Sequence, residues 1–220
     1  MFVISVFSIV AFAQSATKAP EAKTTKKPGE VILEEDIWVI LVDEPAHHFH
    51  RAHENFLNKE FRASANEIRT AAAFLKLETS RATAEGKEAL KASAKELDTL
   101  ADDVEKGAVT SVKTLDEAFA SAHRALAKHH YLKASEAWEK KETKTAGNAL
   151  KAAARHLERA MTWAGYEEED FVVKIVNDAG LAAGKLLEGI GGTSEEVGKV
   201  IEDMGKAIDK LGKAVDPAKT

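Results

Sequence analysis

Between Glu34 and Ala164 only Pro45, Gly86, Gly107 and Gly147 interrupt a long run of good helix formers, and so few breakers exclude a β-rich fold. Pro45, behind Asp43 and Glu44, suits the first turn of a helix, and Gly107 suits a C-terminal cap. Apolar residues then recur three and four apart. Leu57, Phe61, Ile68, Ala71 and Leu75 form one stripe; Leu90, Ala94, Leu97, Leu100 and Val104 a second. Leu115, Phe119, Ala122, Leu126 and His129 form a third, and Leu150, Ala153, Leu157, Ala160 and Ala164 a fourth. Four such stripes joined by short polar turns predict an all-α, up-and-down bundle over residues 34–165, able to fold without residues 166–220. Thr114 to Glu117 has capping-box spacing, with Ser111 as the other candidate start for that helix. The apolar run Ile37 to Val42 fits a buried strand or a helical lead-in equally.

Laying residues 47–75 on 129–157, an offset of 82, aligns HHFHRAHENFLNKEF with HHYLKASEAWEKKET without a gap. His47/His129, His48/His130, Glu54/Glu136, Lys59/Lys141, Glu60/Glu142, Asn66/Asn148 and Leu75/Leu157 are identical pairs, and Phe49/Tyr131 and Phe56/Trp138 keep an aromatic ring. The paired His-His-aromatic is not what Ala/Lys/Glu-rich helices produce by chance, so the bundle is expected to contain a duplicated helical hairpin. Each copy resembles a tetratricopeptide-type hairpin in spacing. The Gly and Pro landmarks of that family are absent and the period is not its usual ~34, so the resemblance implies a packing solution and a protein-binding surface, without membership.

Past Gly165 the composition changes, with eight of the 13 glycines between Gly180 and Gly212. Phe171 to Ile190 reads as one helix, Gly191 and Gly192 as a break, and Thr193 to Glu196 as the capping box of another. Residues 166–216 are therefore expected to form an amphipathic, glycine-rich helical hairpin, with 217–220 a tail. Val197, Ile201, Met204, Ile208 and Leu211 make a heptad seam, and Gly198, Gly205 and Gly212 lie beside it, seven apart. Each helical glycine costs about 1 kcal/mol against alanine, so this line predicts close approach of another surface: the chain's own bundle, a second copy or a protein partner.

At the other end, residues 2–13 form an uncharged apolar run closing on Ala11, Phe12 and Ala13, a small-x-small pattern that suits signal peptidase, with cleavage before Gln14. Such a run is shorter than the ~20 residues a membrane span needs. Residues 14–33 read as a flexible polar linker, and the whole predicts a periplasmic or secreted protein. With no cysteine, disulfides, thiolate zinc sites and iron–sulfur clusters are excluded. A formal charge of −5 argues against nucleic acid, and the excess of acids after Tyr166 disfavours a membrane surface.

No phosphate loop, no Gly-x-Ser-x-Gly and no complete zinc-protease motif occurs; His53 and Glu54 begin the last, but Leu57 stands where its second histidine belongs. A non-enzymatic scaffold or adaptor, requiring no cofactor, is the first reading. The second comes from eight histidines, seven of them in two clusters. His47, His50 and Glu54 share a helix face, and His129, His130 and Glu136 repeat the pattern, with Leu132 replacing the counterpart of His50. Neutral imidazole and carboxylate projected into a bundle are suited to zinc, copper or iron, or, as axial ligands, to non-covalent haem.

Overall fold

The computed structural model describes residues 44–166, 170–189 and 194–215. The expected leader, linker, Ile37 to Val42 segment, glycine break and tail fall outside them. All regular structure among the described residues is helical: α1 (Glu44–Leu57), α2 (Phe61–Thr79), α3 (Ala84–Glu105), α4 (Val112–Glu139), α5 (Thr143–Trp163), α6 (Asp170–Leu187) and α7 (Ser194–Val215). None of these helices is long and apolar enough to cross a membrane.

Local chemistry sets the boundaries. Thr83 Oγ1 accepts from the Gly86 amide at 3.3 Å to open α3, and Ser111 Oγ accepts from the Lys113 amide at 3.3 Å to open α4, so Ser111 rather than Thr114 is the cap. Gly107, at φ 69°, ends α3 in the left-handed conformation that a side chain disfavours, with its amide donating to Val104 O at 3.0 Å.

The turns 58–60 and 140–142, related by the offset of 82, have the same geometry. Lys59 and Lys141 sit at φ 63° and 61°. Their amides donate to Phe56 O and Trp138 O, each at 3.0 Å, and the amides of Glu60 and Glu142 donate to Asn55 O and Ala137 O at 2.8 and 2.9 Å. At that offset the bounds of α1 fall on the second half of α4, and those of α2 on α5.

Apolar burial forms two clusters that share α4. Phe49, Ile68, Leu75, Leu90, Leu97, Leu115, Phe119 and Leu126 belong to the first, built by α1, α2, α3 and the first half of α4. Ala127, Leu150, Leu157, Ile175, Leu186, Ile201, Met204 and Ile208 belong to the second, built by the rest of α4 with α5, α6 and α7. The glycine-rich helices thus complete the second core. Of the expected stripe residues, Leu57 is the one left well exposed, at 58%.

Candidate functional site

Along α4, Leu126 is the last residue of the first cluster and Ala127 opens the second. Around this junction lie four buried histidines: His123, His129 and His130 on α4 and His156 on α5, each at most 4% exposed. Glu78, in the last turn of α2, is also buried, at 5%. Its spacing continues the apolar face of Ile68, Ala71 and Leu75, so the α2 surface that builds the core also delivers the carboxylate.

Glu78 Oε2 lies 3.0 Å from His129 Nε2, at ion-pair distance, yet it has no hydrogen-bond partner. The His129 and His130 rings are 4.7 Å apart. One ligand-capable atom from each of Glu78, His129 and His130 falls within 4.8 Å of the other two. His130 stacks on His156 with ring centroids 5.4 Å apart and planes 9° from parallel. His156 Nδ1 is 3.1 Å from His123 Nδ1, and the edge of Phe49 closes the row at 5.2 Å from His123. Four ring nitrogens in this row, His123 Nε2, His129 Nδ1, His130 Nε2 and His156 Nε2, are buried without a partner. Gly86 makes room at one end: a Cβ there would lie 3.4 Å from His129 Cα and 3.5 Å from its Nδ1.

Burial dominates the electrostatics. It pushes the His123 imidazole down to about 3, with the charges of Arg159 and His50 adding to the effect. Burial and neighbouring rings also hold His130 and His156 well below the usual histidine range. These rings are neutral, the form that binds metal. Glu78 meets the opposite demand. Its carboxylate is buried at the C-terminal end of α2, where the helix dipole opposes negative charge, and a nearby cation would relieve both costs.

Of the ligands read from sequence, His129 and His130 are brought together. His47, His50 and Glu54 are exposed on α1, with the His50 ring 5.0 Å from Trp163. Glu136 is exposed and pairs with Lys140 at 2.6 Å. His48, the counterpart of His130, pairs with Glu67 at 2.6 Å. Sequence reasoning did not select Glu78, His123 or His156, although each lies on or beside an apolar stripe.

The α7 seam is covered by the chain itself. Val197, Ile201, Met204, Ile208 and Leu211 are at most 5% exposed. Gly198, Gly205 and Gly212 receive Trp138, Tyr131 and Arg124 of α4, which would lie 3.9, 2.8 and 2.6 Å from a Cβ at each position. These α4 residues are also seven apart and run in reverse order, so α7 packs antiparallel to α4. No known protein family, curated protein or solved structure matches this chain.

Proposed function

We propose that this protein is a non-enzymatic metal-binding helical bundle, working in the periplasm or outside the cell, in which Glu78, His129 and His130 hold one transition-metal ion. The observation that carries the reading is the convergence of a carboxylate and two imidazoles within 4.8 Å, all buried. The chemistry is consistent: a two-nitrogen, one-oxygen donor set suits zinc, iron(II) or copper(II) rather than calcium or magnesium, and a carboxylate offsets part of the ion's charge. The rings pack one against another, which suits an ion better than a haem. Because Glu78 comes from α2 and the histidines from α4, the ion would bind the folded state preferentially and stabilise it.

The test is calorimetric titration of zinc at pH 7.5 into untagged protein, paired with thermal melting. One zinc per chain and a raised melting temperature are expected, both lost in Glu78→Gln and His129→Ala. A wild type with neither heat nor melting shift, or variants that respond as it does, would overturn the reading.

A scaffold or self-assembly role is the second reading, and it now draws on α6 instead of the α7 seam. Phe171 and Leu181 are 47% and 68% exposed, and Gly180 and Gly184 face open space. Sedimentation of the wild type and Leu181→Lys tests self-assembly: equal, monomeric behaviour counts against it.

A further inference from the structure

We propose that His123 and His156 hold a second metal ion through their Nδ1 atoms, separate from the Glu78 site and not dependent on its occupancy. Three observations meet here. The two Nδ1 atoms are 3.1 Å apart in a part of the core where both residues are 0% exposed. Two nitrogens bound to one ion at about 2.0 Å lie roughly 3.3 Å apart at a tetrahedral angle and about 4 Å apart when the ion is linear between them, so the pair becomes a chelate by opening by less than about 1 Å.

The second observation concerns what packing requires. The stack of His130 on His156, centroids 5.4 Å apart, has its counterpart at the offset of 82 in the stack of His48 on Phe74, centroids 5.7 Å apart. In the first hairpin a phenyl ring fills this place; in the second an imidazole does, adding nitrogens that the stack does not need.

The third is polar satisfaction. If the 3.1 Å contact is only a hydrogen bond, one ring donates Nδ1–H and the other accepts, which leaves an Nε2 lone pair on the first and an Nε2–H on the second. Both Nε2 atoms are buried without partners. Leaving a buried polar atom unpaired costs about 1–3 kcal/mol, so a hydrogen bond alone is a poor reason to keep two imidazoles in this core. An ion in place of the bridging hydrogen engages both Nδ1 lone pairs. The displaced proton moves to Nε2 of its own ring, so neither ring changes charge; both Nε2–H groups stay unpartnered, and the gain from the ion lies at the two Nδ1 atoms.

Charge then selects the ion. The pair supplies two neutral nitrogens and no carboxylate, and the positive charges of Arg155 and Arg159 act on these rings. A monovalent ion that accepts few ligands and that imidazole can hold is the best match, which is copper(I), with the two rings opened toward a linear arrangement about it. The Glu78 site, with its carboxylate, is the one suited to a divalent ion.

The experiment adds copper(I) anaerobically, with ascorbate and a competing chromogenic chelator, to zinc-saturated full-length protein. The expected result is one copper(I) per chain in the wild type and in Glu78→Gln, and none in His156→Phe, where the phenyl ring copies the Phe74 packing. X-ray absorption of the copper-loaded wild type should show nitrogen neighbours at about 2.0 Å, a readout that needs no variant to fold. Copper binding unchanged in His156→Phe, absent from the wild type, or abolished by Glu78→Gln would overturn the second site. Zinc binding insensitive to Glu78→Gln would instead overturn the first, so the two failures are distinguishable.

Discussion

Gly147 of α5 lies directly against Ala183 of α6: a Cβ at Gly147 would be 3.2 Å from the Ala183 carbonyl oxygen and 3.1 Å from Leu186 Cβ. Backbone and buried side chains leave that atom little room. Gly147→Ala is therefore expected to destabilise by about 1–3 kcal/mol, outweighing a helix-propensity gain of about 1 kcal/mol. Gly184→Ala meets nothing within 4 Å and should stabilise by about 1 kcal/mol. Urea midpoints of the two variants decide it; shifts of the same sign would contradict the close α5–α6 packing.

Glu78→Gln should separate metal binding from apo stability. The carboxylate sits buried at a helix C-terminus with its Oε2 making no hydrogen bond, so neutralising it is expected to leave the metal-free protein unchanged or to stabilise it by about 0.3–1 kcal/mol. The stabilisation by zinc should disappear. Loss of about 3 kcal/mol or more from the metal-free variant would identify a buried ion pair with His129 in place of a waiting ligand.

Acid should unfold the metal-free protein early. His123 is held at about 3, against 6.5 in an unfolded chain, so between those values the unfolded state takes up a proton that the folded state refuses. The folding equilibrium weakens by about tenfold per pH unit per such histidine through that window, and His130 and His156 act in the same direction. Above pH 6.5 the effect vanishes, because both states are neutral. Denaturant midpoints at pH 7.5, 6 and 5 provide the check, and His123→Phe should reduce the slope. A flat profile in this range would show that these rings are not buried neutral.

A chain ending at Gly165 should lose the second core and keep the first. Removing α6 and α7 uncovers Leu150, Leu157 and the second half of α4, whereas the contacts of Phe49, Ile68, Leu97 and Phe119 remain. Hydrogen exchange should show protection across α1 to α3 and fast exchange in α5. Protection of α5 equal to that in the full chain would show that the glycine-rich helices are dispensable.

The helices and many of their ends were legible because they depend on neighbours in sequence: the breakers, Gly107, and stripes spaced three and four apart, whereas capping-box spacing pointed to Thr114 beside Ser111, the cap that forms. His129 already stood in an apolar stripe, which gives burial without naming a partner. What escaped depends on contacts between distant segments. Nothing local to Glu78 distinguishes it from a solvent-facing carboxylate except that it lies three residues after Leu75. His123 and His156 become a pair only once α4 and α5 are side by side. The glycine line was legible as a groove, and its occupants shared its period of seven at Arg124, Tyr131 and Trp138, but only the antiparallel order of α7 against α4 matches the two.

The continuity of α4 has a mechanical consequence. Its 28 residues form a beam roughly 42 Å long, embedded at one end in each core, with the imidazole row near its middle. A beam held at such a fulcrum converts angle into distance: with arms of roughly 26 and 14 Å on either side of His129 and His130, a tilt of about 5° displaces the tips by roughly 2 and 1 Å. Whatever reorients the helix at His129 and His130 is therefore expressed at Val112 and at Glu139 together, at the two ends of α4, with no relay of side chains between them.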